Sequence, residues 1–161
     1  MKILTLVLLA LNLIACAETE FDSTDPEFIP YLIELNEMSI EFTGKPINYN
    51  MPINFKQISS SEEARCTNKK GFMSSSQEIY VNPENWDLAM DERKLAILLH
   101  EIGHCVYGLD HDDSANPAGG HNSVMATQAI SGNIFRKYQE RYFIEFQEKI
   151  SERFNGMFSH P

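Results

Sequence analysis

Two histidines and a glutamate lie within residues 100–104, which read His-Glu-Ile-Gly-His. Histidines four residues apart on a helix project from the same face, about one turn and 40° from each other. Their imidazole nitrogens can therefore bind a single zinc ion, and a glutamate beside the first histidine can reach a water on that metal. The pattern predicts a helical metal site at His100 and His104, with Glu101 as general base.

Three further residues with possible roles at a metal site follow. Gly108 comes four residues after His104, His111 three residues after Gly108, and Met125 fourteen residues after His111. Over this stretch the sequence resembles the metzincin clan of zinc metallopeptidases, whose motif HExxHxxGxxH precedes a tight turn with a methionine beneath the metal. The resemblance implies that His111 is the third zinc ligand beside His100 and His104. It also implies that Gly108 turns the chain out of the helix and that Met125 is the methionine of the turn.

The spacing differs from the metzincin motif by one residue. The clan's glycine lies three residues after the second histidine, whereas Gly108 lies four after His104. One extra helical residue rotates the exit of the chain by about 100° and advances it by about 1.5 Å. The distance from Gly108 to His111 is the usual one, so we expect the loop near Tyr107 to absorb the extra residue.

The third ligand has alternatives. Counted strictly from His104, its position falls on Asp110, and a carboxylate oxygen is also an acceptable zinc ligand. His121 is a further candidate, as are two glutamates of the last predicted helix, Glu140 and Glu145. A glutamate in this role would make the protein resemble the gluzincins instead.

The resemblance implies an enzyme with one zinc ion per chain. Zinc with three protein ligands keeps an open position for water, as in catalytic sites, and lowers the pKa of that water. Glu101 would accept the proton as the zinc-activated water attacks a peptide bond. We therefore expect a zinc metallopeptidase, an endopeptidase, acting on a peptide or protein substrate. A zinc-binding or partner-binding lipoprotein on a peptidase scaffold, without hydrolysis, is the alternative from another class.

The N-terminus has the composition of an export signal. Lys2 precedes an apolar run from Ile3 to Ala15, whose helix would rise about 20 Å against a hydrocarbon core of roughly 30 Å. The run ends in Leu-Ile-Ala-Cys, which resembles the bacterial lipobox, although an ordinary cleavable signal with a stray cysteine would also fit. We expect a lipoprotein signal peptide at 1–15, a lipid-anchored tether at 16–25 with Cys16 acylated, and one metallopeptidase domain at 26–161. The expected location is a bacterial cell envelope, at the outer membrane, with the lipid bilayer as a partner.

The charge balance disfavours nucleic acid as a partner. The chain has 13 basic and 23 acidic residues, a formal charge of −10. Such a surface cannot neutralise a row of phosphates, nor is it attracted to anionic lipid headgroups. We expect a monomer that binds no nucleic acid.

Two cysteines other than Cys16 are present. Cys66 and Cys105 would lie in an oxidising compartment if the protein is exported, and this favours a disulfide between them. Two buried thiols are the alternative. A bridge would connect the end of the site helix to an upstream segment.

The order of elements predicts an α+β fold. Apolar residues at helical spacing predict an N-terminal helix that ends before Gly44, an active-site helix over about Asp91 to Tyr107, and a C-terminal helix of about five turns. Asp91 is expected to cap the second of these. Short β-favouring stretches within 45–58, near Cys66 and at 77–81 predict a short mixed sheet. The order of strand, site helix, turn and final helix is the one that metzincins use.

Overall fold

The computed structural model describes residues 23–70, 75–114, 123–128 and 130–158, which form an α+β domain as predicted. After a short 3-10 turn, the described helices and strands follow in the order α1 Ile29–Thr43, β1 Ile53–Phe55, β2 Ala64–Lys70, β3 Ser75–Val81, α2 Pro83–Leu88, α3 Asp91–Cys105 and α4 Gly132–Phe158. Helix α4 is interrupted at Tyr138, where φ is −126° and ψ is 21°. The predicted signal peptide, Cys16 and His121 lie outside the described residues.

The described sheet has three strands in the order β1-β3-β2. β1 pairs with β3 in parallel, and β2 pairs with β3 in the antiparallel direction, so the sheet is mixed, as predicted. In the described part of the chain β2 pairs with no strand other than β3. Its second edge is therefore available to face the residues of the candidate site.

Helix α1 matches its prediction. It ends at Thr43, and Gly44 follows in the left-handed region with φ of 70°, where its N–H donates to the carbonyl of Ile40. A glycine at this position terminates a helix without the steric cost that a Cβ would add. Leu32 and Leu35 on its inner face are fully buried in the core.

Helix α3 is amphipathic, and its buried face holds it in the core. The fully or almost fully buried apolar residues of that face are Leu95, Leu98, Leu99 and Ile102. Its start differs from the prediction, because Met90 is the N-cap and Asp91 is the first helical residue. The carboxylate of Asp91 accepts a hydrogen bond of 2.8 Å from the hydroxyl of Tyr31 instead of capping the helix. The helix also ends at Cys105, two residues earlier than predicted.

The disulfide between Cys66 and Cys105 is present, as predicted, with 5.4 Å between the Cα atoms. It joins β2 to the last residue of α3. The described residues contain no helix that is both long and apolar enough to cross a membrane.

Candidate metal centre

Three histidine side chains meet at one point in the structure. His100 and His104 lie one turn apart on α3, and His111 comes from the loop that follows the helix. One ring nitrogen of each lies within 4.8 Å of the corresponding atoms of the other two. The Nε2 atoms of His100 and His104 are 2.9 Å apart. The three rings thus form a group that could hold a metal ion.

Backbone carbonyl groups orient the two helical rings. Nδ1 of His100 lies 2.8 Å from the carbonyl oxygen of Val124, and Nδ1 of His104 lies 2.6 Å from that of Leu109. A carbonyl oxygen only accepts hydrogen bonds, so both Nδ1 atoms carry the hydrogen. In the neutral rings both Nε2 atoms are then unprotonated, and their lone pairs face each other. Two lone pairs this close could share one cation, and unprotonated imidazole nitrogens are ligands that zinc accepts.

The protonation state of the two helical histidines suits metal binding. The pKa of His100 is lowered to about 4, mainly by burial; the hydrogen bond to Val124 opposes this shift, and the neighbouring His104 and His111 contribute to it. Burial also lowers the pKa of His104. Both rings are therefore neutral at neutral pH, which is the form that binds metals.

A sharp turn after α3 carries the chain from the second histidine to the third. Val106 is the C-cap, and Gly108 follows with φ of 63°, a left-handed conformation in which a side chain would be strained. The N–H of Leu109 donates to the carbonyl of Gly103 at 3.0 Å, so the chain folds back along the helix. This return places the carbonyl of Leu109 at His104. The residue that exceeds the metzincin spacing is accommodated in the turn.

Met125 lies directly under the site helix. Its side chain is fully buried, and it occupies the space that a Cβ on Gly103 would need. A Cβ on Gly103 would come 2.5 Å from Sδ of Met125 and 3.0 Å from Cε2 of Phe146. The missing side chain at Gly103 thus lets the 123–127 turn and α4 approach α3 closely.

Glu101 lines the same cleft as the three histidines and is only 8% exposed. Burial raises the pKa of its carboxyl group to about 7, and a hydrogen bond from the backbone of Cys66 acts in the opposite direction. The Cys66 contact links Glu101 to β2. This contact could not be predicted from the residue pattern, because every residue except proline has the same backbone donor.

The cleft around these residues has a volume of about 780 Å³. One wall comprises residues 61–66, which include the start of β2, and another is the His100 face of α3. The 108–111 loop also lines the cleft, together with Val124, Ala126, Thr127 and Ile130 from the segment that contains Met125. The cleft is large enough for several residues of a bound chain.

The alternative third ligands are not part of the histidine group: Asp110 lines the same cleft, and His121 lies outside the described residues. The group of histidines with ligand atoms within 4.8 Å does not include Asp110, Glu140 or Glu145. Glu145 instead accepts a hydrogen bond from the hydroxyl of Ser123. Of the candidates in the described part of the chain, His111 is the one that the fold brings to the helical pair.

No protein-family model, curated protein sequence or solved structure matches the chain. The function is therefore inferred from the motif and from the geometry of the site.

Proposed function

We propose that the protein is a metzincin-like zinc metallopeptidase. The observation that carries this proposal is the pair of unprotonated Nε2 atoms of His100 and His104, 2.9 Å apart, with His111 beside them. Carbonyl groups fix both helical rings in the tautomer that leaves Nε2 free for a metal. His100, His104 and His111 would hold one zinc ion.

Glu101 is the general base of the proposed reaction. Zinc with three protein ligands supplies Lewis-acid activation of water and stabilises negative charge on a carbonyl oxygen. Glu101 would take the proton of the attacking water and pass it to the leaving amine. Its place in the histidine cleft supports this role, and a site used only for binding has no need of a base there.

The position of β2 supports an extended peptide as substrate. β2 forms one wall of the cleft, and in the described part of the chain only its β3 edge is paired. An extended chain can add its backbone hydrogen bonds to such an edge. A peptide bound beside β2 would pass the histidines and Glu101.

The N-terminal motif supports an exported, lipid-anchored protein. Residues 1–16 carry the apolar run and the Cys16 motif of a bacterial lipoprotein. The disulfide between Cys66 and Cys105 agrees with an oxidising compartment. We therefore place the proposed peptidase at the outer membrane of a bacterial envelope.

Metal content and peptide cleavage together test the proposal. The purified wild-type chain should contain about one zinc, and His111→Ala should lose it or bind it much more weakly. Glu101→Gln should keep the zinc and lose cleavage of a mixed peptide library. Glu140→Ala, a change on the exposed side of α4, is the matched control and should keep both.

Four results would contradict parts of this proposal. Absence of zinc from the wild type, after dialysis against added metal, would exclude the zinc peptidase. Equal zinc in wild type and His111→Ala would assign the third ligand to another residue, and loss of zinc in Glu140→Ala would favour the gluzincin arrangement. Zinc binding without any cleavage by the wild type would favour a binding lipoprotein.

A further inference from the structure

The third histidine differs from the other two in how its ring is oriented. Carbonyl groups hold the rings of His100 and His104, whereas no hydrogen bond from a described residue reaches the exposed ring of His111. The position of His111 therefore depends on the backbone of its loop. Whatever fixes that loop also fixes the third ligand of the proposed metal centre.

The loop is bound first to the turn that contains Met125. The N–H of Asp112 donates to the carbonyl oxygen of Met125 at 2.9 Å. The carboxylate of Asp113 accepts hydrogen bonds of 2.8 Å from both the N–H and the hydroxyl of Thr127. The two segments thus form one unit, which α3 contacts through the carbonyls of Leu109 and Val124, while its outer part at Asp112 and Asp113 lies beyond these contacts.

Two charged residues of α4, Glu145 and Lys149, attach this unit to the C-terminal helix as well. Lys149 forms an ion pair with the carboxylate of Asp112, next to His111. One turn earlier, Glu145 accepts the hydroxyl of Ser123, whose oxygen in turn accepts the N–H of Met125 at 3.0 Å. Nζ of Lys149 also lies 3.8 Å from Glu145.

The charged residues of this network are partly buried, which strengthens the interactions between them. The side chains of Lys149, Asp112 and Glu145 are 22%, 29% and 21% exposed, so water screens them less than an open surface pair. By contrast, Arg136 of α4, paired with Glu92 of α3, is 61% exposed. The two pairs on one helix differ in exposure and in whether they touch the loop of His111.

We propose that Lys149 is a positioning residue for the metal centre, which acts on His111 through Asp112, and that Glu145 supports it through the Ser123 turn. This inference rests on the proposed zinc site. It assigns to the C-terminal helix the orienting role that backbone carbonyls have for His100 and His104. Residues that orient metal ligands typically contribute 10–100-fold to metal affinity.

Zinc affinity tests the inference directly, by competition with a chromophoric chelator. Lys149→Met should raise the zinc Kd at least about tenfold, and Asp112→Asn should have a similar effect. Lys149→Arg keeps the ion pair and should restore the affinity to within about threefold of wild type. The matched control, Arg136→Met, removes the exposed pair on the same helix and should leave the zinc Kd unchanged.

The melting temperature of the metal-free proteins separates positioning from general stability. Both Lys149→Met and Arg136→Met should lower this melting temperature by small amounts, although only Lys149→Met weakens zinc binding. Equal zinc affinity in wild type and Lys149→Met would overturn the inference and leave the proposed function standing. Failure of Lys149→Arg to restore affinity would also overturn it. A wild type that binds no zinc would refute the proposed function and the inference together.

Discussion

The close approach of Met125 and Phe146 to Gly103 makes substitution of this glycine a quantitative test of the packing under the site. An alanine in a helix is normally about 1 kcal/mol more favourable than a glycine. Here the new Cβ would lie 2.5 Å from Sδ of Met125 and 3.0 Å from a ring carbon of Phe146, and both side chains are fully buried. Such overpacking typically costs about 1–3 kcal/mol. After the gain in helix propensity is subtracted, the net loss in the free energy of unfolding is about 0–2 kcal/mol. We expect Gly103→Ala to fall in the upper half of this range, because a contact of 2.5 Å forces the buried side chain of Met125 to move.

Thermal and urea unfolding of three variants would measure this effect. At about 2–4 °C per kcal/mol for a chain of this size, Gly103→Ala should lower the melting temperature by several degrees. Gly156→Ala, on α4, is the matched control, because a Cβ there meets nothing within 4 Å and helix propensity alone should raise stability. In a Met125→Ala background the clash with Sδ is absent, so Gly103→Ala should become neutral or stabilising. A rise in melting temperature for Gly103→Ala equal to that for Gly156→Ala would refute the reasoning.

Three further changes have defined expectations in unfolding experiments. Replacing Cys66 and Cys105 by alanine should lower the free energy of unfolding by about 4 kcal/mol, because the disulfide closes a loop with a sequence separation of 39. A loss below about 1 kcal/mol would contradict this expectation. Gly108→Ala should lower the free energy of unfolding by about 1–2 kcal/mol and weaken zinc binding, since φ of Gly108 is 63°. Unchanged stability would show that the turn can take up another backbone conformation. Tyr142→Phe should raise the free energy of unfolding by up to about 1 kcal/mol, because the buried hydroxyl of Tyr142 has no hydrogen-bond partner among the described residues. A clear decrease in stability would indicate that this hydroxyl is hydrogen-bonded in the folded protein.

The helical half of the candidate site was predictable because one periodicity determines both burial and ligand geometry. The spacing that places Leu95, Leu98 and Ile102 in the core also places His100 and His104 on the cleft face. Side-chain types at fixed intervals are what a sequence records. The helical part of the fold followed for the same reason, since α1 and α4 also repeat buried apolar residues at helical spacing.

The contacts that orient the site were not predictable in this way. The carbonyls of Val124 and Leu109 accept from the histidines, and every residue has such a carbonyl, so no residue type identifies them. The wrong prediction for Asp91 has a related cause. Its type favours a helix cap, but a hydroxyl donor on α1, from Tyr31, competes for its carboxylate in the folded chain.

The extra residue after His104 shows why ligand spacing depends on where a helix ends and not on residue number alone. Helix α3 stops at Cys105, so the added residue extends the turn and leaves the helical register of the ligands unchanged. Tyr107 in that turn accepts a hydrogen bond of 2.7 Å from the N–H of Asn48, and its ring packs edge-on against Phe146 at 5.7 Å. The longer turn is therefore anchored to the segment before β1 and to α4. Because Gly108 then redirects the chain, His111 reaches the helical pair with one residue more than the motif prescribes.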